Sequence, residues 1–371
     1  ETEIIPYIRA PYRTPIDALP STHRSQRLGT IMWFRQLCTT ARRAHENPLG
    51  LPRNNERFPP LMPRRGSGPQ PKRPIPNVKR VIAVASGKGG VGKSTVAVNL
   101  ALGLAATSKD ALGRRARIGL LDLDLYGPSI PKLMHLEDLG EPELTQQHAL
   151  LPLINYSIPC MSMGFLLPPQ SSGSNADTPV VWRGLMVMKA VQQLLFDVDW
   201  RAGMTPDADP MAPGHDSLDV LVIDMPPGTG DVALSLSQLV LVDGAVIVST
   251  PQEVALVDAR KGITMFQKVQ VPILGLVLNM SHFLAPDTGK PSPIFGPAHH
   301  FEALAQRLDV PILGRIPLEM HLSQGSDHGT PEVLRPNDAP GSAHASLLHM
   351  ARQTWTQLAS ADMARDRLKR A

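Results

Sequence analysis

The chain has 371 residues, 42% of them hydrophobic and 19% charged, with a formal net charge of +4. That length carries one large α/β domain of about 250–280 residues with extensions, or two small domains, and it holds no unbroken apolar run of roughly 20 residues to cross a bilayer. Residues 1–80 carry 15 Lys and Arg against 5 Asp and Glu, and the remaining residues 22 against 28, so the body is mildly acidic and no nucleic acid partner is expected.

Two cysteines, Cys38 and Cys160, make neither a disulfide framework nor a metal-ligand pattern and fit a reducing compartment. From Met32, "MWFRQLCTTARRAHENPLGLPR" combines Arg35, Arg42 and Arg43 with hydroxyl and apolar residues and has no acid before Glu46. That is the composition of a mitochondrial targeting segment, and the alternative is a basic tail with no address. Residues 1–31 lie upstream of that start. Residues 1–51 are therefore assigned as a basic targeting extension. The proline-rich stretch 52–77 is assigned as a linker.

From Val78 the chain alternates short apolar runs with helical patterns. Strands are predicted in 78–86, 117–127, 157–166, 218–228, 244–252, 272–281 and 310–317, and helices in 94–107, 231–240 and 301–308. The strand runs are β-branched and continuous, as in parallel strands covered on both faces. The expected fold is a three-layer, doubly wound, mostly parallel α/β domain over 78–335, followed by a surface tail at 336–371 that ends in a charged helix.

Gly87-Lys88-Gly89-Gly90-Val91-Gly92-Lys93-Ser94, continued by Thr95, fits G-x-x-x-x-G-K-[ST] between a predicted strand and a predicted helix. Glycines let backbone N–H groups close on a phosphate, and the helix N-terminus adds partial positive charge. In such a loop Lys93 reaches the β/γ-phosphates of ATP and the Ser94 hydroxyl ligates Mg²⁺. Asp122 and Asp124 end one strand, two apart and so on one face toward the phosphates, and Asp224 ends another, where a carboxylate of the Mg²⁺ shell belongs; Ser94, Asp122 and Asp224 are together assigned to that shell. Asp231 follows across a glycine-rich turn. Each aspartate alone also reads as a strand-end cap; together with the loop they read as an active site. Lys88 is surplus in a single site, and its position suggests a cation delivered to a second subunit's phosphates. The other reading is a solvated loop lysine.

"KGGVGKST", "LDLDLYGPSIP", "SMGFLL", "VVWRGLM", "DVLVIDMPPGTGDVALSLSQ", "GAVIVSTPQEVALVDARKG", "VPILGLVLNMSHF" and "GRIPLEMHLSQGSDHGTP" resemble the Mrp/ApbC-type iron–sulfur carrier ATPases. Those belong to the deviant Walker A class with the partition and septum-site (ParA/MinD) ATPases. The resemblance spans about 78–335, and "HENPLGLPR" resembles the mitochondrial branch, which assists assembly of respiratory complex I. It implies a homodimeric, slowly hydrolysing switch in the mitochondrial matrix, with apoproteins that receive clusters as partners. It implies Lys88 acting in trans, Lys93 and Ser94 on phosphate and Mg²⁺, Asp124 near the attacking water and Asp224 in the Mg²⁺ shell. Asn279 matches an adenine-reading position, or is a strand-end cap, and Pro317 would pack on the base.

One departure stands out. Cluster-carrying members place C-x-x-C shortly after "NMS", and two thiolates per subunit hold a [4Fe–4S] cluster across the dimer. Here Ala285 and Thr288 occupy that spacing in "NMSHFLAPDTG". Cys160 reads as a core residue, while His282, Asp287, His299 and His300 read as loop and surface residues rather than ligands, so no cluster ligand is named. Two alternatives stay open: a spatial-organising ATPase that binds membrane or DNA, with its tail helix as the membrane contact, and an assembly chaperone that carries no cluster.

Overall fold

In the computed structural model the described residues are 72–124, 127–166, 184–201, 217–228, 230–285, 290–335 and 339–370. The chain divides into two units, Glu1–Gly68 and Pro69–Ala371. The first, with the expected targeting segment and Cys38, lies wholly outside the described residues. Among those described, no helix is long and apolar enough to cross a membrane.

The second unit is built on strands β1 (Val81–Ser86), β2 (Ile118–Asp122), β3 (Leu153–Asn155), β4 (Ile158–Ser162), β5 (Val220–Asp224), β6 (Gly244–Ser249), β7 (Ile273–Leu278), β8 (Phe283–Leu284), β9 (Pro291–Ser292) and β10 (Ile312–Arg315). Eight of them form one sheet in the order β10-β7-β6-β1-β5-β2-β4-β3, and β8 and β9 make a separate hairpin. All pairings in the large sheet are parallel except β3 with β4. Every residue of β1, β2, β5 and β6 is buried, so their side chains are covered on both faces and need no polar alternation.

The helices are α1 (Lys93–Leu112), α2 (Ile130–Leu133), α3 (Gly184–Phe196), α4 (Asp231–Leu239), α5 (Glu253–Lys268), α6 (His299–Leu308), α7 (Met320–Asp327) and α8 (Ala343–Arg370). From β1 the chain crosses through α1 to β2 on one side, and it later returns through α4 and α5 to β6 and β7 on the other. Right-handed crossovers in opposite directions place these helices on opposite faces of the sheet. Ligands bind such sheets at the carboxyl ends of the strands where the order reverses, here beside β1.

Four sequence expectations are corrected. The run 157–166 is not one strand: β4 stops at Ser162 and a 3₁₀ turn covers Met163–Leu166. The antiparallel edge strand β3 was not expected; its turn puts Tyr156 and Ser157 at φ 51° and 62°, a left-handed pair normally marked by Asn-Gly. The last linker residues pack on the body, with Ile75 2% exposed and Arg73 bridging to Val240. Most importantly, 336–371 is not a surface tail. Helix α8 buries Leu347, Met350, Ala351, Trp355 and Leu358 against α1 and the β7–β10 edge, and Trp355 Nε1 donates to the Leu104 carbonyl at 3.1 Å.

Candidate nucleotide site

Gly87 to Gly92 connect β1 to α1, and the first helical residue is Lys93. Gly90 and Gly92 take φ values of 79° and 81°, the left-handed region where a side chain is costly. At Gly87 an added Cβ would overlap the α5 backbone at Asp258 and Ala259. The loop and the N-terminus of α1 open onto a cleft of about 330 Å³, lined by Ser86, Lys88, Gly89, Gly90, Gly92, Lys93, Ser94, Thr95, Asp124, Gly127, Ser129, Leu133 and Pro227. Gly127, Ser129, Leu133 and Pro227 were not singled out from the sequence, although each sits within or beside the acidic motifs.

Three predicted charges converge behind the loop. Lys93, 6% exposed, donates to Asp224 Oδ1 at 2.5 Å and stands 3.8 Å from Asp124 Oδ2. Its Nζ is 3.3 Å from Ser94 Oγ. Burial pushes the Asp224 carboxyl up, and Lys93 pulls it back down. Asp224 Oδ2 is buried and has no hydrogen-bond partner. An orphaned carboxylate oxygen beside the Ser94 hydroxyl oxygen is the donor set of a hard divalent cation that keeps most of its waters, so Ser94 and Asp224 fit Mg²⁺.

Asp122 behaves differently from its neighbour. Its oxygens accept from the Asp124 amide at 2.9 Å, the Ile130 amide at 3.2 Å and Ser162 Oγ at 3.0 Å. It therefore ties the end of β2 to β4 and to the start of α2, and it sets the backbone that carries Asp124. Burial, then the facing charge of Asp224 in the next strand, pushes its carboxyl up to about 7. Asp231 begins α4, directly after Gly230.

Lys88 is partly exposed at the rim; its Nζ meets Gln252 Oε1 at 3.4 Å, just before α5. Among the described residues no carboxylate ion pair with Lys88 is present. Asn279 is 4% exposed at the end of β7, where its side-chain amide donates to the Val91 carbonyl at 2.8 Å. Pro317 is buried just past β10. Neither lines the cleft.

The thiol question has a definite answer for the described residues. Cys160 is fully buried in β4, its Sγ 3.4 Å from the Ile158 carbonyl, and burial raises its pKa well above the ordinary thiol range. Such a thiol stays protonated and is a poor ligand. Ala285 follows β8 in the hairpin, its amide bonded to the Lys290 carbonyl at 3.2 Å, while Asp287 and Thr288 lie outside the described residues. His282 pairs with Ser281 Oγ at 3.0 Å. His299 and His300 stack at 4.0 Å on the exposed start of α6. Among the described residues no group of three His, Cys, Asp or Glu could hold a metal ion. These residues do not fit a thiolate-held cluster.

Residues 77–354 match the family model "ParA: NUBPL iron-transfer P-loop NTPase". The chain is 50% identical over 290 residues to the iron-sulfur cluster transfer protein NUBPL of Mus musculus, covering 78% of this chain and 81% of that one. It is 48% identical over 265 residues to the Arabidopsis thaliana "Iron-sulfur protein required for NADH dehydrogenase, mitochondrial", covering 71% and 74%. Among solved structures, a nucleotide-binding protein of Archaeoglobus fulgidus in complex with ADP is similar with a TM-score of 0.54 at 34% identity, covering 70% of this chain and 90% of that one.

Proposed function

The chain belongs to the NUBPL iron-transfer P-loop NTPase family, and from that membership we propose that it is a homodimeric, slowly hydrolysing ATPase switch. It serves iron–sulfur cluster transfer to apoproteins in the mitochondrial matrix, with subunits of respiratory complex I as clients. The observation that carries the switch is the buried Lys93–Asp224 pair at 2.5 Å under an open phosphate loop. Without nucleotide, Lys93 and Asp224 neutralise each other. ATP draws Lys93 to its phosphates, which frees Asp224 and Ser94 to hold Mg²⁺. Held there, Mg²⁺ would supply charge neutralisation for the phosphates. Asp124, held over the cleft by the Asp122 network, orients the attacking water. Positioning and charge stabilisation are the whole task, so no strong general base is required.

Lys88 completes the site across the dimer. An ammonium at the loop rim, with the Gln252 amide oxygen beside it and no carboxylate ion pair among the described residues, has its charge available for a second subunit's phosphates. Lys88→Ala is expected to leave ATP affinity within about threefold of wild type, because the contact is made from the other subunit. It should lower turnover by a factor on the order of 10³, the range of a trans cation. Turnover at the wild-type rate would sink the trans assignment. The client and compartment rest on the names of the mouse and Arabidopsis relatives and on the basic segment from Met32.

A second reading is favoured by one observation. Ala285 stands where carriers place a cysteine and Cys160 is locked in the core, so the protein works on the transfer reaction as a nucleotide-dependent assembly factor without itself ligating the cluster through this hairpin. The spatial-organising alternative loses its main support, because the apolar face of α8 that would serve a membrane is packed on α1.

A further inference from the structure

We propose that Ser86 is a positioning residue for Lys88, its hydroxyl fixing the stretch of loop backbone from which that cation reaches a second subunit's phosphates; this rests on the trans reading of Lys88 above. Ser86 ends β1, is 3% exposed and lines the cleft. Its Oγ donates to the Lys88 carbonyl at 2.9 Å. A hydroxyl has a single proton, and here it is spent on that carbonyl. Ser86 therefore has no donor left for a phosphate, and its lone pairs would repel a phosphate oxygen, so a role as a direct phosphate ligand does not fit.

The need for such a tie follows from the loop's composition. Lys88 stands between Gly87 and the Gly89-Gly90 pair, and glycine gives the backbone on either side its widest choice of conformations. On the amino side, Gly87 is pressed on the α5 backbone, where Asp258 and Ala259 leave no room for a Cβ. On the carboxyl side, a Cβ at Gly89 or Gly90 would meet nothing within 4 Å, so the tip of the loop is open. The Ser86 bond holds the Lys88 carbonyl against that freedom. Together with the Gly87 contact it sets the direction in which the lysine side chain leaves, and the ammonium then meets Gln252 Oε1 at 3.4 Å. The base of the tie is itself rigid. Ser86 pairs with Val248 of β6, and its carbonyl accepts the Gly228 N–H at 2.9 Å. Gly228 lies in the segment that follows Asp224, so the residue that aims the trans cation is bonded to the chain that carries the Mg²⁺ carboxylate. Fixing the lysine's backbone in advance removes conformational freedom that would otherwise be lost at the transition state.

The test is single-turnover hydrolysis of radiolabelled Mg·ATP, with Mg·ATPγS affinity by calorimetry, on full-length wild type, Ser86→Ala, Ser86→Thr, Lys88→Ala and the variant carrying both alanines, each checked for native circular dichroism. Ser86→Ala should keep ATPγS affinity within about threefold of wild type and hydrolyse roughly 5- to 30-fold more slowly, the loss of one buried hydrogen bond. Ser86→Thr keeps a hydroxyl and should recover most of that rate. In the Lys88→Ala background, Ser86→Ala should change the rate no further, because the group it aims is gone. The same loss in both backgrounds would make Ser86 act without Lys88 and overturn the proposal, as would wild-type hydrolysis by Ser86→Ala or a folded Ser86→Thr no faster than Ser86→Ala. A fall in ATPγS affinity as large as the fall in rate would make Ser86 part of nucleotide binding and overturn it too, and so would loss of the native circular dichroism in Ser86→Ala. Wild-type hydrolysis by Lys88→Ala is a distinct result: it removes the trans reading, and the proposal with it.

Discussion

Asp122 and Asp124 show how two residues of one motif divide a task. Both end the same strand run and both carry a carboxylate, yet Asp124 lines the cleft while Asp122 is spent on two amides and the Ser162 hydroxyl. The sequence rule that residues two apart share a face placed both toward the phosphates. It could not say that β2 stops at Asp122, after which the strand period no longer applies. Asp122 yields a pH prediction. Its native carboxyl is raised to about 7 while the unfolded one keeps an ordinary value near 4. Between these limits the native state holds a proton that the unfolded state has released, so stability falls as pH rises through the window and levels off above it. Thermal unfolding of the nucleotide- and magnesium-free protein from pH 5 to pH 8 should show that decline, and Asp122→Asn should flatten it. Equal slopes for the two proteins would remove Asp122 as the source.

Helix α8 carries the largest revision among the elements. Its sequence, "SLLHMARQTWTQLASADMARDRLKR", mixes small, polar and charged residues and read as a weakly amphipathic surface helix. The apolar positions that matter, Leu347, Met350, Ala351, Trp355 and Leu358, recur at helical spacing but form a narrow stripe, and it is matched to α1 rather than to solvent. At the far end Arg365 pairs with Asp243 at 2.6 Å and Asp362 with Arg80 at 2.6 Å, which clamps the helix to the opening of β1. Trp355→Ala should therefore cost roughly 3–5 kcal/mol, the range for a buried aromatic, measured by urea unfolding. A free tail would lose no more than about 0.5 kcal/mol. The edge hairpin β3–β4 was illegible for another reason: its left-handed turn falls on Tyr156-Ser157, with neither the glycine nor the asparagine that marks a positive φ.

For the whole molecule, the open issue is the relation between a nucleotide switch and a cluster. Anaerobic reconstitution of the full-length protein with iron and sulfide, followed by iron analysis and absorbance, addresses it directly. The described body has one thiol and that thiol is buried, so the expected outcome is no stable cluster on a Cys38→Ser variant, with ATP hydrolysis retained. Stoichiometric iron and a cluster absorbance on that variant would overturn the non-carrying reading. Light scattering with and without ATP then tests separately whether the protein dimerises.

The sequence by itself determined the parallel core of the sheet, the phosphate loop and the acidic strand ends, because continuous β-branched runs and a glycine-lysine loop are local patterns with few other physical solutions. It determined the family for the same reason, since the motifs are long and sit at the strand ends. Tertiary structure alone decided what those side chains touch. It turned Asn279 toward the Val91 carbonyl, set Asp122 to hold a backbone, and laid α8 across α1. The first and the last depend on a partner far along the chain, 188 residues away for Asn279 and 251 for Trp355, and Asp122 reaches Ser162 in the next strand, 40 residues on. No pattern within a short window encodes such a contact; only the packing of the finished sheet and its helices brings the two groups together.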